Sequence, residues 1–403
     1  MKLLFVCLFA ALMLTVLASC GGQADEDGVI TLVIWHDKEA EVAAALQTKL
    51  DELAPDIIVV LERKSGLTET LKLVGNSPGA APDMFFFAHD KVGVYSEMRI
   101  IVPISDFVDA ALLDLFLPKT IEAATYNGRV YQLPLYFETL LFMYNRAIMP
   151  DDDVPTNTLD LFRFMQRHTG GGHFGFVEQF NNAYFVGGWM HGFGAEMISA
   201  DGVPMLDTPE MIAALHYYGR LMRLMPNEAE FATINTLFRE GRAAATIGGP
   251  WLIPSIREAG IDLGIAPMPI VSETGLPLAP FMGVQGLHVL RVAAENPVRN
   301  EAIRTVLNHL ISTDIGVALA QASGSAPALA ASFDLPVIYN DPMVMMMLET
   351  AQTATPMPNI PEMDIMWTVA AGMLVDINFR GHEVEVAAAN AQRRAEDLIA
   401  LMR

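Results

Sequence analysis

The chain has 403 residues, 52% of them hydrophobic and 18% charged, with a formal net charge of −22. That length calls for two domains, and the composition is globular and not disordered. The acidic balance excludes a nucleic-acid binder, whose phosphate contacts need Lys and Arg, and it suits a protein kept soluble in the open. Both cysteines, Cys7 and Cys20, lie at the N-terminus. The body therefore has no disulfide framework, Cys-ligated metal site or cysteine nucleophile, which suits an oxidising exterior.

Lys2 and the apolar run Leu3–Leu17 read as a secretory signal, short for a spanning helix. Leu17-Ala18-Ser19-Cys20 resembles the bacterial lipobox. It predicts a signal peptide at residues 1–19, a lipidated Cys20 and a small, acidic tether to residue 28. The other reading is an ordinary secretory signal with a chance cysteine.

Thr31–Trp35 is a β-rich apolar run ended by His36-Asp37-Lys38. A helix over Glu39–Leu53, a strand over Ile57–Leu61, a helix over Leu67–Val74 and a strand over Met84–Ala88 follow. This alternation predicts an α/β domain with a parallel sheet. The third strand stops at His89-Asp90-Lys91, so Asp37-Lys38 and Asp90-Lys91 should share the carboxyl edge, where open α/β sheets hold ligands. Helices are expected over Asp106–Phe116 and Lys119–Tyr126. Val130–Tyr144 reads as extended chain, with Pro134 marking a bend, an edge or a crossover between lobes. Just past it, Glu138 sits in an apolar run and needs a partner: a ligand, or the salt bridge of a hinge residue.

Further on, a helix is expected over Leu159–His168 and a strand over Phe174–Val177. The amide- and aromatic-rich QFNNAYF segment, Gln179–Phe185, leads into a Gly/Trp-rich stretch, Gly187–Gly194. Helices over Pro209–Met225 and Ile234–Glu240 precede strands over Ala243–Ile247, Gly264–Pro267 and Gln285–Leu290. Gly249-Pro250-Trp251 presents an aromatic after a strand end. The last hundred residues read as helical, broken by the rigid loop Thr355–Pro361 ahead of Trp367. Trp35 reads as core, His36 and His89 as structural, and the 24 methionines as core filler. Asp37 and Asp90 also suit helix caps. No P-loop or HExxH occurs.

In order and at comparable spacing, these blocks resemble the maltose/maltodextrin-binding proteins, within the solute-binding proteins of ABC sugar importers. They are Leu32–Trp35, Pro82–Asp90, Tyr126–Gly128, Pro134–Glu138, Gly249–Trp251, and Met357–Met363 with Trp367. The resemblance implies a type II periplasmic-binding-protein-like fold of two α/β lobes, each a sheet flanked by helices, joined by a hinge. Residues 29–136 and 286–335 would form lobe 1, and residues 137–285 and 336–403 lobe 2. It places polar ligand contacts on Asp37, Lys38, Glu69, Asp90, Lys91 and Glu138. Aromatic platforms fall on Phe87, Tyr184, Phe185, Trp251 and Trp367. It implies no cofactor and no metal. The implied partners are an oligosaccharide, the permease subunits of an ABC importer, and the membrane through lipid on Cys20, with the protein itself a monomer. Where the family has tryptophan, arginine, a second cleft glutamate and a further arginine, this chain has Phe87, Lys91, Asn182 and Ala371. Lys91 loses bidentate hydrogen bonding.

The residue types suit a sugar. Pyranose faces carry C–H groups that pack on aromatic rings, and the rim hydroxyls bond strongly to carboxylates. The expected function is capture of an α-linked gluco-oligosaccharide outside the cytoplasm, without catalysis. The alternative is a surface glycoside hydrolase, which needs two carboxylates about 5–9 Å apart across one bond, one with a raised pKa. A chemoreceptor role is compatible with transport.

Overall fold

A computed structural model describes residues 29–228 and 230–402, so the signal, the lipobox and the tether lie outside the described residues. Strand β1 (Ile30–His36) pairs in parallel with β2 (Ile57–Arg63) and β3 (Met84–Ala88), as the alternation predicts. The connections are helices α1 (Ala40–Leu50) and α2 (Leu67–Val74). Strands β4 (Leu133–Thr139) and β8 (Phe281–Leu290) join antiparallel, giving the sheet order Ala326–Pro327, β4, β8, β3, β1, β2. Two short strands, Ile101–Val102 and Thr355–Pro356, also pair with β8. Leu32, Ile34, Met84, Phe86, Leu287 and Val289 pack in the core of this lobe.

The second lobe has its own antiparallel sheet, β7 (Leu263–Ala266), β5 (Leu141–Asn145) and β6 (Ala245–Gly248). Its larger core is built from Phe142, Phe164, Phe176, Trp189, Met211 and Tyr218 with helices α3 (Ala183–Gly192), α4 (Pro209–Met222), α5 (Met363–Asn378) and α6 (Val384–Met402). β4 and β5 belong to different sheets but are separated only by Leu140, so the chain changes lobes there. Pro134 lies beside Gly286 where the β4–β8 register shifts, which is how the ladder tolerates it. At Gly286 an added Cβ would come within 2.1 Å of the Leu133 carbonyl oxygen.

The structure departs from several expectations. Asp106–Phe116 holds only one α-turn, Ala110–Leu113, after a 3-10 turn. The helix after Lys119 stops at Ala123, because Asn127 and Gly128 both take positive φ (48° and 72°) and fold Thr125–Tyr126 back on Arg129–Val130. Phe174–Val177 is not a strand; it makes only isolated bridges to Ala243 and Thr246. Gly187–Gly194 hides most of α3. Its glycines let the helix lie against β8 and the residue before it, since a Cβ on Gly187 would meet the Phe281 ring at 2.4 Å. Asp37 and Asp90 make no side-chain cap: Glu39 is the N-cap of α1, and the turns at 89–92 carry none. Trp35 is core, 8% exposed, with its indole N–H donating to Glu62.

Candidate functional site

β1 ends at His36, beside Phe86, and β3 runs two residues further to Ala88, so Asp37-Lys38 and Asp90-Lys91 emerge on one sheet edge. Two polar chains grow from it. In the first, Lys38 Nζ lies 2.8 Å from Asp37 Oδ1 and donates to Gln285 Oε1 at 2.7 Å. Gln285 Nε2 then donates to Glu138 Oε1 at 2.8 Å. Glu138 thus has the partner its apolar surroundings demand. Burial pushes its carboxyl up, while Lys38 and the Gln285 hydrogen bond pull it back, and burial wins. The Lys38 ammonium also lies 5.3 Å from the Phe87 ring centroid.

In the second chain, Lys91 Nζ is shared between Asp90 (3.2 Å) and Asp364 (2.6 Å). His89 fixes the backbone beside Asp90. Its Nδ1 accepts from the Val284 N–H at 3.0 Å and its Nε2 donates to the Met357 carbonyl at 2.9 Å, which sets the neutral tautomer. Burial lowers its pKa, so it stays neutral. The structural role expected of His89 is what the geometry shows.

The opposite wall comes from α3 and α5. Asp90, Tyr184 and Trp367 line one cavity of about 690 Å³ together with Gln179, Asn181 and Met357. Phe281 joins the two rings: it stacks with Tyr184 (6.3 Å, 14°) and meets Trp367 edge-on (5.2 Å, 71°). Trp251 lies beside Tyr184, 6.5 Å between centroids. Burial raises the Tyr184 phenol well above its usual value, with Glu138 and Asp90 adding to the effect, so this hydroxyl sits within the field of both acids. Asn182 spends its side chain capping α3, accepting from the Tyr184 N–H at 2.9 Å. Asn181 Oδ1 is buried with no hydrogen-bond partner among the described residues, an unsatisfied acceptor in a cavity-lining residue.

Of the expected residues, Asp90, Tyr184 and Trp367 line this cavity, while Asp37, Lys38, Phe87, Lys91, Glu138, Trp251, Phe185 and Glu69 are not in its lining. Phe185 is 8% exposed and packs edge-on beneath Tyr184. Glu69 is exposed and held by Lys72 at 3.1 Å. Sequence reasoning missed Gln285 as a link in the polar chain, since it read only as part of a strand, and missed Asn181, Asp364 and Lys72. It also passed over Glu178, just before the cleft loop. Glu178 is fully buried; Trp189 Nε1 and the Tyr218 hydroxyl both donate to its Oε2 at 2.8 Å. Burial pushes its carboxyl up to about 8, outweighing both hydrogen bonds.

A model of the bacterial extracellular solute-binding proteins matches residues 42–346. The chain belongs to the bacterial extracellular solute-binding protein family. This solute-binding protein is 30% identical over 363 residues to a maltotriose-binding protein of Pyrococcus abyssi, covering 88% of this chain and 79% of the relative. It is 26% identical over 384 residues to the maltodextrin-binding protein MdxE of Bacillus subtilis, covering 91% and 90%. Its fold matches the maltose/maltodextrin-binding domain MalE of Bdellovibrio bacteriovorus bound to maltotriose. The TM-score is 0.82 at 24% identity, over 92% of this chain and all of that one. The two-lobed α/β fold expected from the resemblance is therefore the fold of this protein.

Proposed function

We propose that this protein captures maltodextrin-type, α-linked gluco-oligosaccharides between its lobes and passes them to the permease of an ABC importer. The observation that carries this reading is the single cavity lined by Asp90, Tyr184 and Trp367: two rings for sugar faces and a carboxylate for the rim. Asp37, Lys38, Phe87, Lys91, Glu138 and Trp251 extend the contact surface, with Phe185 and Glu69 as outer support. The ligands named for the Pyrococcus and Bacillus relatives support the same sugar class. Each carboxylate on the lobe-1 side already has a nitrogen partner, which favours binding over hydrolysis. Lobe 1 would comprise residues 29–139 and 281–335 and lobe 2 residues 140–280 and 336–403, moved from the expected bounds so that β4 and β8 each stay within one lobe. The protein would act as a monomer, anchored outside the cytoplasm by lipid on Cys20.

A thermal-shift and calorimetric screen against glucose, maltose, maltotriose and galacto-oligosaccharides tests this. Maltotriose should raise Tm in a dose-dependent way, because a ligand bound only to the native state stabilises it, and no reducing ends should be released. An unchanged Tm across the panel at millimolar sugar would end this reading. Release of reducing ends, abolished in Glu138→Gln, would replace it with the hydrolase.

A further inference from the structure

We propose that Asp364 is a positioning residue for the sugar site, clasping Lys72 and Lys91 across the cleft so that Trp367 and Asp90 stay in register. The inference rests on the sugar-binding reading above. Asp364 lies in the first turn of α5, one turn ahead of Trp367. The buried face of that helix, Met363, Met366, Val369 and Ala370, packs into the second-lobe core. Lys72 on α2 and Lys91 after β3 belong to the first lobe. Each carboxylate oxygen has its own lysine: Oδ2 is 2.7 Å from Lys72 Nζ, and Oδ1 is 2.6 Å from Lys91 Nζ.

These side chains are only 29%, 22% and 12% exposed for Asp364, Lys72 and Lys91. The bonds are therefore charge-assisted and partly desolvated, stronger than an ordinary surface pair. Glu69 holds Lys72 from outside and Asp90 holds Lys91 from inside, so one alternating row runs from solvent to the cavity. Asp364 takes one donor of Lys91 at 2.6 Å, while Asp90 is held at the longer 3.2 Å. That leaves the Asp90 carboxylate with acceptor capacity for a sugar hydroxyl.

The chain just before Asp364 supports the same role. Gly93 N–H donates to the Asn359 carbonyl at 2.8 Å, and Asn359 Nδ2 donates to the Ala123 and Thr125 carbonyls at 2.8 and 2.7 Å. A Cβ on Gly93 would sit 2.2 Å from the Asn359 oxygen, so only glycine permits this approach. The chain leaves lobe 1 from that tether, and the clasp carries the attachment on to the turn that presents Trp367.

The test is calorimetry of maltotriose binding to the full chain in detergent, with hydrogen exchange read by mass spectrometry. Asp364→Asn should raise Kd about tenfold, equivalent to about 1.4 kcal/mol. Asp364→Glu should recover most of the loss. Lys72→Met, outside the cavity lining, should give part of it, and the double variant no more than Asp364→Asn alone. Without sugar, Asp364→Asn should speed amide exchange across Met363–Trp367. An unchanged Kd overturns the proposal, even with faster exchange, because Asp364 would then be a helix anchor only. Strictly additive losses in the double variant also overturn it. If the parent protein binds no maltodextrin, the sugar-binding reading fails by itself. The exchange experiment still judges the clasp, and unchanged exchange would remove it.

Discussion

The two walls of the cleft are made of different materials. The lobe-1 edge is ionic: Asp37, Lys38, Asp90 and Lys91 leave two adjacent parallel strands and are held by Gln285, Glu138 and Asp364. The lobe-2 wall is aromatic and amide: Tyr184, Trp251, Trp367 and Asn181, backed by Phe281 and by the neutral Glu178 region. On the sugar-binding reading, the first wall would orient hydroxyls through short directional bonds. The other supplies area and excludes water, and it gains most when a ligand covers it. An uncharged, ring-shaped, hydroxyl-rich ligand is the kind that needs both.

Three substitutions probe this contrast. If the aromatic wall carries most of the affinity, Trp367→Ala should weaken maltotriose binding by roughly 100-fold, about 2.7 kcal/mol, by calorimetry. A loss under threefold would mean that the ionic edge dominates. Glu178 tests whether the second lobe is held together by a neutral acid. Its folded pKa is raised to about 8 from 4.5. Its contribution to stability is therefore complete below the unfolded value and is lost as pH rises through about 8. Between pH 6 and pH 8 the stability it confers should fall by about 2 kcal/mol. Glu178→Gln should abolish that fall in urea unfolding curves, and parallel pH profiles for variant and parent would refute the neutral acid. The smallest effect belongs to Glu69→Ala. That exposed group stands outside the cavity, so maltotriose affinity should change by less than about twofold.

The same contrast explains what could be read from the sequence. The βαβαβ start and its charged strand ends were legible because strand endings are local: an apolar run stops at Asp37 or Asp90, and parallel pairing does the rest. The second wall was legible only in part: Trp251 and Trp367 follow loops where Trp35 does not, but that they share a wall with Tyr184 came from the resemblance alone. Helix α3 was invisible because three glycines lower helix propensity, and what justifies them is close packing, of Gly187 on Phe281, Gly188 on Pro280 and Gly192 on Val271 and Leu278, a tertiary fact. Gln285 and Asp364 were missed because their partners lie far away in sequence: Lys38 is 247 residues from Gln285, and Lys72 is 292 from Asp364. The Asn127-Gly128 turn was seen as a stop but not as a hairpin, because the flanking strands are only two residues long.

The single-residue join at Leu140 has a mechanical consequence. One residue reaches at most about 3.6 Å, so the two sheets have almost no slack to slide or separate there. At this crossing, any relative movement of the halves is a turn.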